Sequence, residues 1–307
     1  MQKRIAVMPN PFNDVELNVT TELVVESISN RVVVTVTSDI YNMLMAKEQI
    51  SKLDNKILVY LKSAFVDDVC KSSDLAIAVG GDGSILEAGQ YALKADIPII
   101  GINKGRLGYL AKVDEHQIKS LVACLINDNY TIEKRAVLKI SVIPLHQEFY
   151  RIFPYAINDL AIEKTNGKSI VVNQTLGSDT LTYTANGVVI STPTGSTAYS
   201  YAAFGPIIDT EAKAMVVTPI VSFQRAVSSM VISAGKRMEF TVGDPTRREK
   251  AMLSIDGQEV CRIDNPNTVE VEVAKDKYLK LIIPQEDEFL GKTFYKTVIT
   301  KSFGLGF

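Results

Sequence analysis

The 307-residue chain carries 33 basic and 35 acidic residues, a formal net charge of −2, and 46% of it is hydrophobic. That balance excludes the basic footprint of a nucleic-acid binder, and no apolar run reaches the roughly 18 residues of a membrane helix. The length lies near the limit of a single core and predicts two domains, or one with a large elaboration. The opening MQKRIAVMPNPF has too short an apolar run before Pro9 for a signal segment, so the protein is expected in the cytoplasm.

Up to about residue 130, strand-like and helix-like segments alternate. Strands are predicted at Arg4–Met8, Val32–Thr37, Lys56–Leu61, Leu75–Val79 and Ile97–Ile102. Helices are predicted at Val15–Ile28, Asn42–Lys52, Ser84–Lys94 and His116–Asn127. Such alternation implies βαβ units and a mostly parallel sheet. Beyond residue 130 come short β-rich runs with turn residues between them: Leu138–Pro144, Tyr155–Glu163, Ser169–Asn173, Leu181–Thr184 and Val188–Ser191. Met238–Val242, Ala251–Ile255, Val269–Val273 and Leu279–Ile283 continue the pattern. The reading is an α/β domain over 1–130, a β-rich domain over 131–285, and a tail over 286–307 packing back on the first domain.

Cys70, Cys124 and Cys261 are three and far apart, which gives neither a disulfide framework nor a zinc spacing. With only His116 and His146, Ser-His-Asp catalysis and a His-based metal site are poorly supplied. The chemistry points instead to two loops. In AVGGDGSILEA, Ala78–Ala88, a buried strand runs into Gly80, Gly81, Asp82 and Gly83 and then a helix. Glycines there let a ligand approach the main chain, and backbone N–H groups at the helix start can face a phosphate. Ser84 is expected to cap that helix. A Walker A loop is excluded, because Glu286 stands where the first glycine before Gly291-Lys292-Thr293 should be. A dinucleotide fingerprint fails too, since no glycine follows Gly81 and Gly83 at position 86. In STPTGSTAY, Ser191–Tyr199, hydroxyls crowd around Gly195 at a strand-to-helix junction. This predicts an anion or nucleotide cradle, with Tyr199 offering a face on which a base could stack.

GGDGS at 80–84, GINKGRLGYLA at 101–111, Asn158-Asp159 in AINDLAIEK, and STPTGSTAY at 191–199 together resemble the NAD kinases. The likeness spans nearly the whole chain. GGDG alone is shared with phosphofructokinases and lipid kinases; STPTGSTAY following it is the specific feature. The resemblance implies phosphoryl transfer from ATP to the adenosine-ribose 2′-hydroxyl of NAD, with Mg2+ carried by ATP. By the same resemblance Asp82 accepts the hydroxyl proton, and Gly80, Gly81, Gly83 and Ser84 lie along the phosphates. Asn158 and Asp159 would hold ribose and amide groups of the dinucleotide, and Thr194, Thr197, Ala198 and Tyr199 its adenine side. Asn103, Arg106 and Arg225 enter as further binding positions. The implied fold has two domains with the site between them, in a homo-oligomer, dimer or tetramer.

The chain departs from the family pattern at several positions. Ser84 stands where Thr is usual, Asn186 where Asp is usual, and Phe204 replaces a glycine. The run Val217–Ile232 is also unlike its counterpart, with Arg225 in place of the family's arginine. These changes surround the acceptor more than the phosphates. They leave open a related kinase acting on NADH, a nucleoside or a sugar, and a catalytically idle nucleotide-binding regulator.

Overall fold

The computed structural model describes residues 2–104, 110–111, 113–144, 148–149, 153–224, 227–243 and 249–285. Arg106, Arg225 and the tail 286–307 lie outside the described residues. The chain forms two compact units. One is Met1–Lys134 together with the segment beginning at Leu279, and the other is Arg135–Tyr278. The division at Leu279 has no counterpart in the sequence, where Leu279–Ile283 reads as one more β-rich run.

The first unit is built on β1 (Arg4–Pro9), β2 (Val33–Thr37), β3 (Leu61–Ala64), β4 (Leu75–Gly80) and β5 (Ile99–Asn103). They lie in the order β3-β2-β1-β4-β5, and every neighbouring pair is parallel. β4 and β5 are buried at every residue, as central strands covered on both faces must be. Ile5, Val7, Val34 and Ile77 pack with Leu23 and Ile28 of the helix Asn18–Ser29 in one apolar core. From β1 the chain steps outward through β2 and β3, then returns to the opposite side of β1 as β4. The crevice at the carboxyl ends of strands beside such a reversal is where open α/β sheets bind ligands.

The second unit is antiparallel. It holds β7 from Arg135 onward (Tyr130–Ile143 in full, after the short β6, Val113–Asp114, of the first unit), β8 (Tyr155–Ala156), β9 (Asp159–Lys164), β10 (Ile170–Leu176), β11 (Asp179–Ala185) and β12 (Gly187–Ser191). There follow β13 (Ala214–Ile220), β14 (Met230–Ser233), β15 (Arg237–Val242), β16 (Lys250–Ile255), β17 (Gln258–Asp264) and β18 as far as Tyr278 (Thr268–Pro284 in full, its last residues belonging to the first unit). One sheet runs β14-β13-β12-β9-β16-β17 and the other strand set β11-β10-β15-β18. β15 buries alternate residues, and Met238, Phe240 and Val242 join Ile162, Ile190 and Leu253 in a shared apolar cluster. The expected architecture, an α/β part with a mostly parallel sheet and a β-rich part, is the one observed.

Several local expectations need correction. The predicted strand Lys56–Leu61 is a helical turn, Asn55–Leu58, because the Asp54 carboxylate accepts the Lys56 N–H at 2.8 Å and caps it. The strand lies just beyond it, at Leu61–Ala64. The predicted helix Asn42–Lys52 divides into Ser38–Met45 and Glu48–Ser51. β13, β14 and β17 have no predicted counterpart, and the two last runs merge into the single strand Thr268–Pro284.

Candidate active site

On the first unit, β4 ends at Gly80 with φ +152°, and a Cβ there would fall 2.4 Å from the Ser84 hydroxyl. Only glycine fits. The helix that follows is Asp82–Ala95, so it starts two residues before Ser84. The expected Ser84 cap is not formed. The Gly81 carbonyl already accepts the Ser84 and Ile85 N–H groups, and the buried Ser84 hydroxyl turns to Asn13 Oδ1 at 3.3 Å. Asp82 therefore sits in the first turn, where the positive end of the helix dipole favours anions. Its Oδ1 accepts the Leu110 N–H at 3.1 Å. Asn103 pairs in register with Gly80, and the Lys104 N–H donates to the Gly80 carbonyl at 3.1 Å. Gly80, Gly81, Asp82, Gly83, Ser84 and Asn103 thus gather at the carboxyl edge of the sheet. A Cβ on Gly81 or Gly83 would meet nothing within 4 Å. Packing among the described residues does not demand glycine at these two positions, and the space beside them is open.

On the second unit, the turn before β9 carries Asn158 and Asp159 and is held from two sides. From one side, the loop after β12 wraps it: the Thr192 hydroxyl donates to the Ile157 carbonyl at 2.7 Å and the Thr192 N–H to the Asn158 carbonyl at 2.8 Å. Gly195 packs so closely that a Cβ would lie 2.0 Å from the Asn158 carbonyl oxygen. From the other side comes Asp256, at the tip of the hairpin joining β16 and β17. Its carboxylate accepts three main-chain N–H groups, from Ile157 at 2.9 Å, Asn158 at 2.7 Å and Asp159 at 3.1 Å. Asp256 and Gly257 both have positive φ, +48° and +79°, the conformation of a two-residue type I′ turn.

Most hydroxyls of this loop donate to main-chain carbonyls. The Thr192 side chain donates to the Ile157 carbonyl, while Ser196 and Thr197 donate to the Pro193 and Thr194 carbonyls across the 3-10 turn at Thr194–Thr197. Short polar side chains readily bond their own main chain in this way. The exceptions are Ser191, fully buried, and Thr194, 6% exposed, whose hydroxyls have no partner among the described residues. The helix after the loop is a single turn, Tyr199–Ala202.

Charge is concentrated beneath this loop. Asp159 is buried, and burial first, then the negative Asp256 and Glu163, push its carboxyl up from 3.8 to about 7, against a stabilising bond from the Tyr199 main chain. Near neutral pH it therefore both donates and accepts protons. The Tyr199 hydroxyl donates to Glu163, and burial together with that partner holds its proton far more tightly than usual. Asn186 stands one residue before Gly187, which pairs with Glu163, and its side-chain oxygen accepts from the Ser169 hydroxyl at 3.3 Å. The fold thus brings Asn158, Asp159, Thr194, Thr197, Ala198 and Tyr199 together, and sets Asn186 at the Glu163 end of the group. Asp256 and Glu163 are members that sequence reasoning missed. An Asp-Gly pair between two β-rich runs is a hairpin signal, but nothing local says which turn that hairpin will hold.

Models of the ATP-NAD kinase N-terminal and C-terminal domains match residues 5–130 and 157–283. The NAD kinase of Flavobacterium johnsoniae is 31% identical over 89% of this chain and 88% of its own length. The chain belongs to the NAD kinase family. It is an enzyme that phosphorylates NAD to NADP, as the sequence motifs implied. The NAD kinase of Bacteroides fragilis strain NCTC 9343 is 32% identical, covering 81% of this chain and 82% of that one. Among solved structures, a yeast NADH kinase complexed with NADH matches with a TM-score of 0.84, covering 100% of this chain and 89% of that one at 20% identity. An Archaeoglobus fulgidus NAD kinase in complex with ATP gives 0.67, 96% and 98%, also at 20% identity. These two likenesses establish the fold of the kinase. Among the described residues, no helix is long and apolar enough to cross a membrane.

Proposed function

We propose that this kinase transfers the γ-phosphoryl group of ATP to the adenosine-ribose 2′-hydroxyl of NAD, with Asp82 as the general base. The observation that carries the reading is the position of Asp82: first turn of a helix, carboxyl edge of β4, between two glycines whose flanks are open. In this reading the triphosphate lies along Gly80–Ser84, where helix N–H groups and dipole receive negative charge. The Asp82 carboxylate takes the hydroxyl proton as the ribose oxygen bonds to the γ-phosphorus, and the bond to the bridging oxygen breaks to release ADP. Positioning and charge stabilisation supply most of the acceleration in such transfers.

Asn158 and Asp159 hold the acceptor in this scheme. Their turn is fixed by Thr192 and Asp256, which leaves the side chains to face a ligand, and Asp159 can donate or accept toward ribose hydroxyls. The unpartnered Thr194 hydroxyl and the Tyr199 ring supply the adenine side. Among the described residues no three His, Cys, Asp or Glu side chains gather into a metal cage. Magnesium in this reading rides on the triphosphate, where it neutralises phosphate charge. The solved relatives' ligands, NADH in one and ATP in the other, support both substrate classes. We also propose a cytoplasmic homo-oligomer, dimer or tetramer, which light scattering at micromolar concentration checks.

The test is Asp82→Asn. The amide oxygen still accepts the Leu110 N–H, so the fold and its melting temperature persist, while the base is lost. Turnover at saturating NAD and ATP should fall at least about 100-fold. A loss under tenfold would leave Asp82 as a turn residue. An acceptor scan with NAD, NADH, nucleosides and sugars separates the NAD-specific reading from the related kinases, and binding without turnover marks an idle regulator.

A further inference from the structure

On the second unit, β9 buries Leu160 and Ile162 in the apolar cluster and turns Asp159, Ala161 and Glu163 to its other face. Two residues of that face hold the same partner. The Asp159 carboxylate accepts a bond from the Tyr199 main chain, and the Glu163 carboxylate accepts the Tyr199 hydroxyl. Asp159 and Glu163 are four residues apart, which is about 13 Å along a strand. Tyr199 therefore runs along β9 from one carboxylate towards the other. Between them on that face stands Ala161, 2% exposed, whose single methyl group leaves room for a ring against the strand.

The neighbouring strand arranges the Glu163 end. Gly187 pairs with Glu163, and a Cβ at 187 would lie 2.3 Å from the Ile162 carbonyl oxygen and 3.1 Å from the Glu163 Cγ. A side chain there would displace the Glu163 stem, so the bare main chain is what lets the carboxylate reach Tyr199. At the other end, Tyr199 is 36% exposed, too much for packing alone to fix its ring. The hydroxyl bond fixes χ1. Because a phenol O–H lies in the plane of its ring, the same bond also sets the tilt of that ring. Burial first, then Glu163, hold the hydroxyl proton more tightly than usual, so Tyr199 stays the donor throughout the neutral range.

We propose that Glu163 is a positioning residue for the acceptor: it holds the Tyr199 ring in the orientation that receives the adenine, without itself touching the dinucleotide. The proposal rests on the reading above in which Tyr199 supplies the adenine side. A ring already held in place is not ordered at the ligand's expense. A side chain that must be immobilised on binding weakens affinity by about three- to tenfold. Binding that is equal in the ground and transition states changes KM and leaves kcat alone, so the loss falls on KM for NAD.

The test is steady-state kinetics at about pH 8.5, where Asp159 is ionised with or without the Glu163 charge beside it. Tyr199→Phe keeps the ring and loses the anchor, and Glu163→Ala removes the anchor from the other side. Each should raise KM for NAD by about three- to tenfold, with kcat and KM for ATP within about twofold. The double variant should be no weaker than either single one, because all three lack the same bond. Glu163→Gln, whose side-chain carbonyl still accepts the hydroxyl, should bring KM for NAD back to within about twofold of wild type. A KM for NAD within that margin in Tyr199→Phe or Glu163→Ala would overturn the proposal. So would effects that multiply in the double variant, or a Glu163→Gln variant as weak as Glu163→Ala. If Glu163→Ala does not fold, Tyr199→Phe and Glu163→Gln decide: the first must raise KM for NAD and the second must not. Failure of the adenine reading is separate. Tyr199→Ala, which removes the ring itself, would then leave KM for NAD unchanged, whereas failure of the Glu163 role alone leaves Tyr199→Ala weak and Glu163→Ala normal.

Discussion

Asp256→Asn isolates what one carboxylate does for the turn that carries Asn158 and Asp159, proposed above to hold the acceptor. Asn also tolerates the left-handed conformation that position 256 requires, so the hairpin itself should survive. The hydrogen-bond count does not. The Asp256 carboxylate serves three N–H groups, two through Oδ1 and one through Oδ2. An amide has one oxygen. Placed to serve Asn158 and Asp159, it directs its NH2 at the Ile157 N–H, donor against donor, at a residue with no exposure. A hydrogen bond to a charged group contributes about 1.5–3 kcal/mol, and an unsatisfied buried donor costs about 1–3 kcal/mol. Removing the charge also relieves repulsion with Asp159, which offsets part of the loss. A net destabilisation of about 2–3 kcal/mol results, and at roughly 2–4 °C per kcal/mol the melting temperature should fall by about 4–12 °C. Looser Asn158 and Asp159 should raise KM for NAD about tenfold, since about 1.4 kcal/mol is a factor of ten, with KM for ATP within twofold. Calorimetry and steady-state kinetics with each substrate varied provide the readouts. A variant that melts within 1 °C of wild type and keeps its KM for NAD would refute the role given to Asp256. Equal rises in both KM values would show that the turn does not discriminate between the substrates.

Asp159 carries a pH signature. Its folded pKa, about 7, lies above the unfolded value near 3.8, so the stability it contributes is greatest below the unfolded value and is lost as pH rises through about 7. Asp159→Asn should therefore gain several degrees of melting temperature over wild type at pH 8, and distinctly less at pH 5; a gain independent of pH would sink the assignment. Gly195→Ala and Gly81→Ala should behave oppositely. At 195 the new methyl collides with the main chain of Asn158, so stability should fall by about 3 kcal/mol or more. At 81 it meets no atom of the described residues within 4 Å, so the melting temperature should stay close to wild type while KM for ATP rises as the methyl enters the space proposed for the phosphates. Thermal melts and donor titrations of the two variants side by side check both.

Much of this fold was legible in the sequence because its signals are local. Leu75–Val79 reads as a buried strand since every residue in it is apolar, and the glycines that follow announce the junction between that strand and a helix. Where the sequence misled, a neighbouring residue had a competing local preference. Asp54 captures the Lys56 N–H and turns an apolar run that reads as strand into a helical turn. The hydroxyls of STPTGSTAY read as ligand groups, yet most are satisfied by nearby carbonyls, and composition does not reveal where a hydroxyl points.

The sequence by itself determined the alternation of strand and helix, the glycine loop that places Asp82 at a helix start, and the motifs that mark an NAD kinase. Only the tertiary structure decided what surrounds Asn158 and Asp159. Ile157 and Asp256 lie 99 residues apart, and they meet because β16 pairs with β9. Glu163 meets Tyr199, 36 residues on, across the return from β12. Sequence patterns record the face that a segment buries, whereas the partner of a buried carboxylate is set by strand pairing between distant segments, which no local spacing encodes.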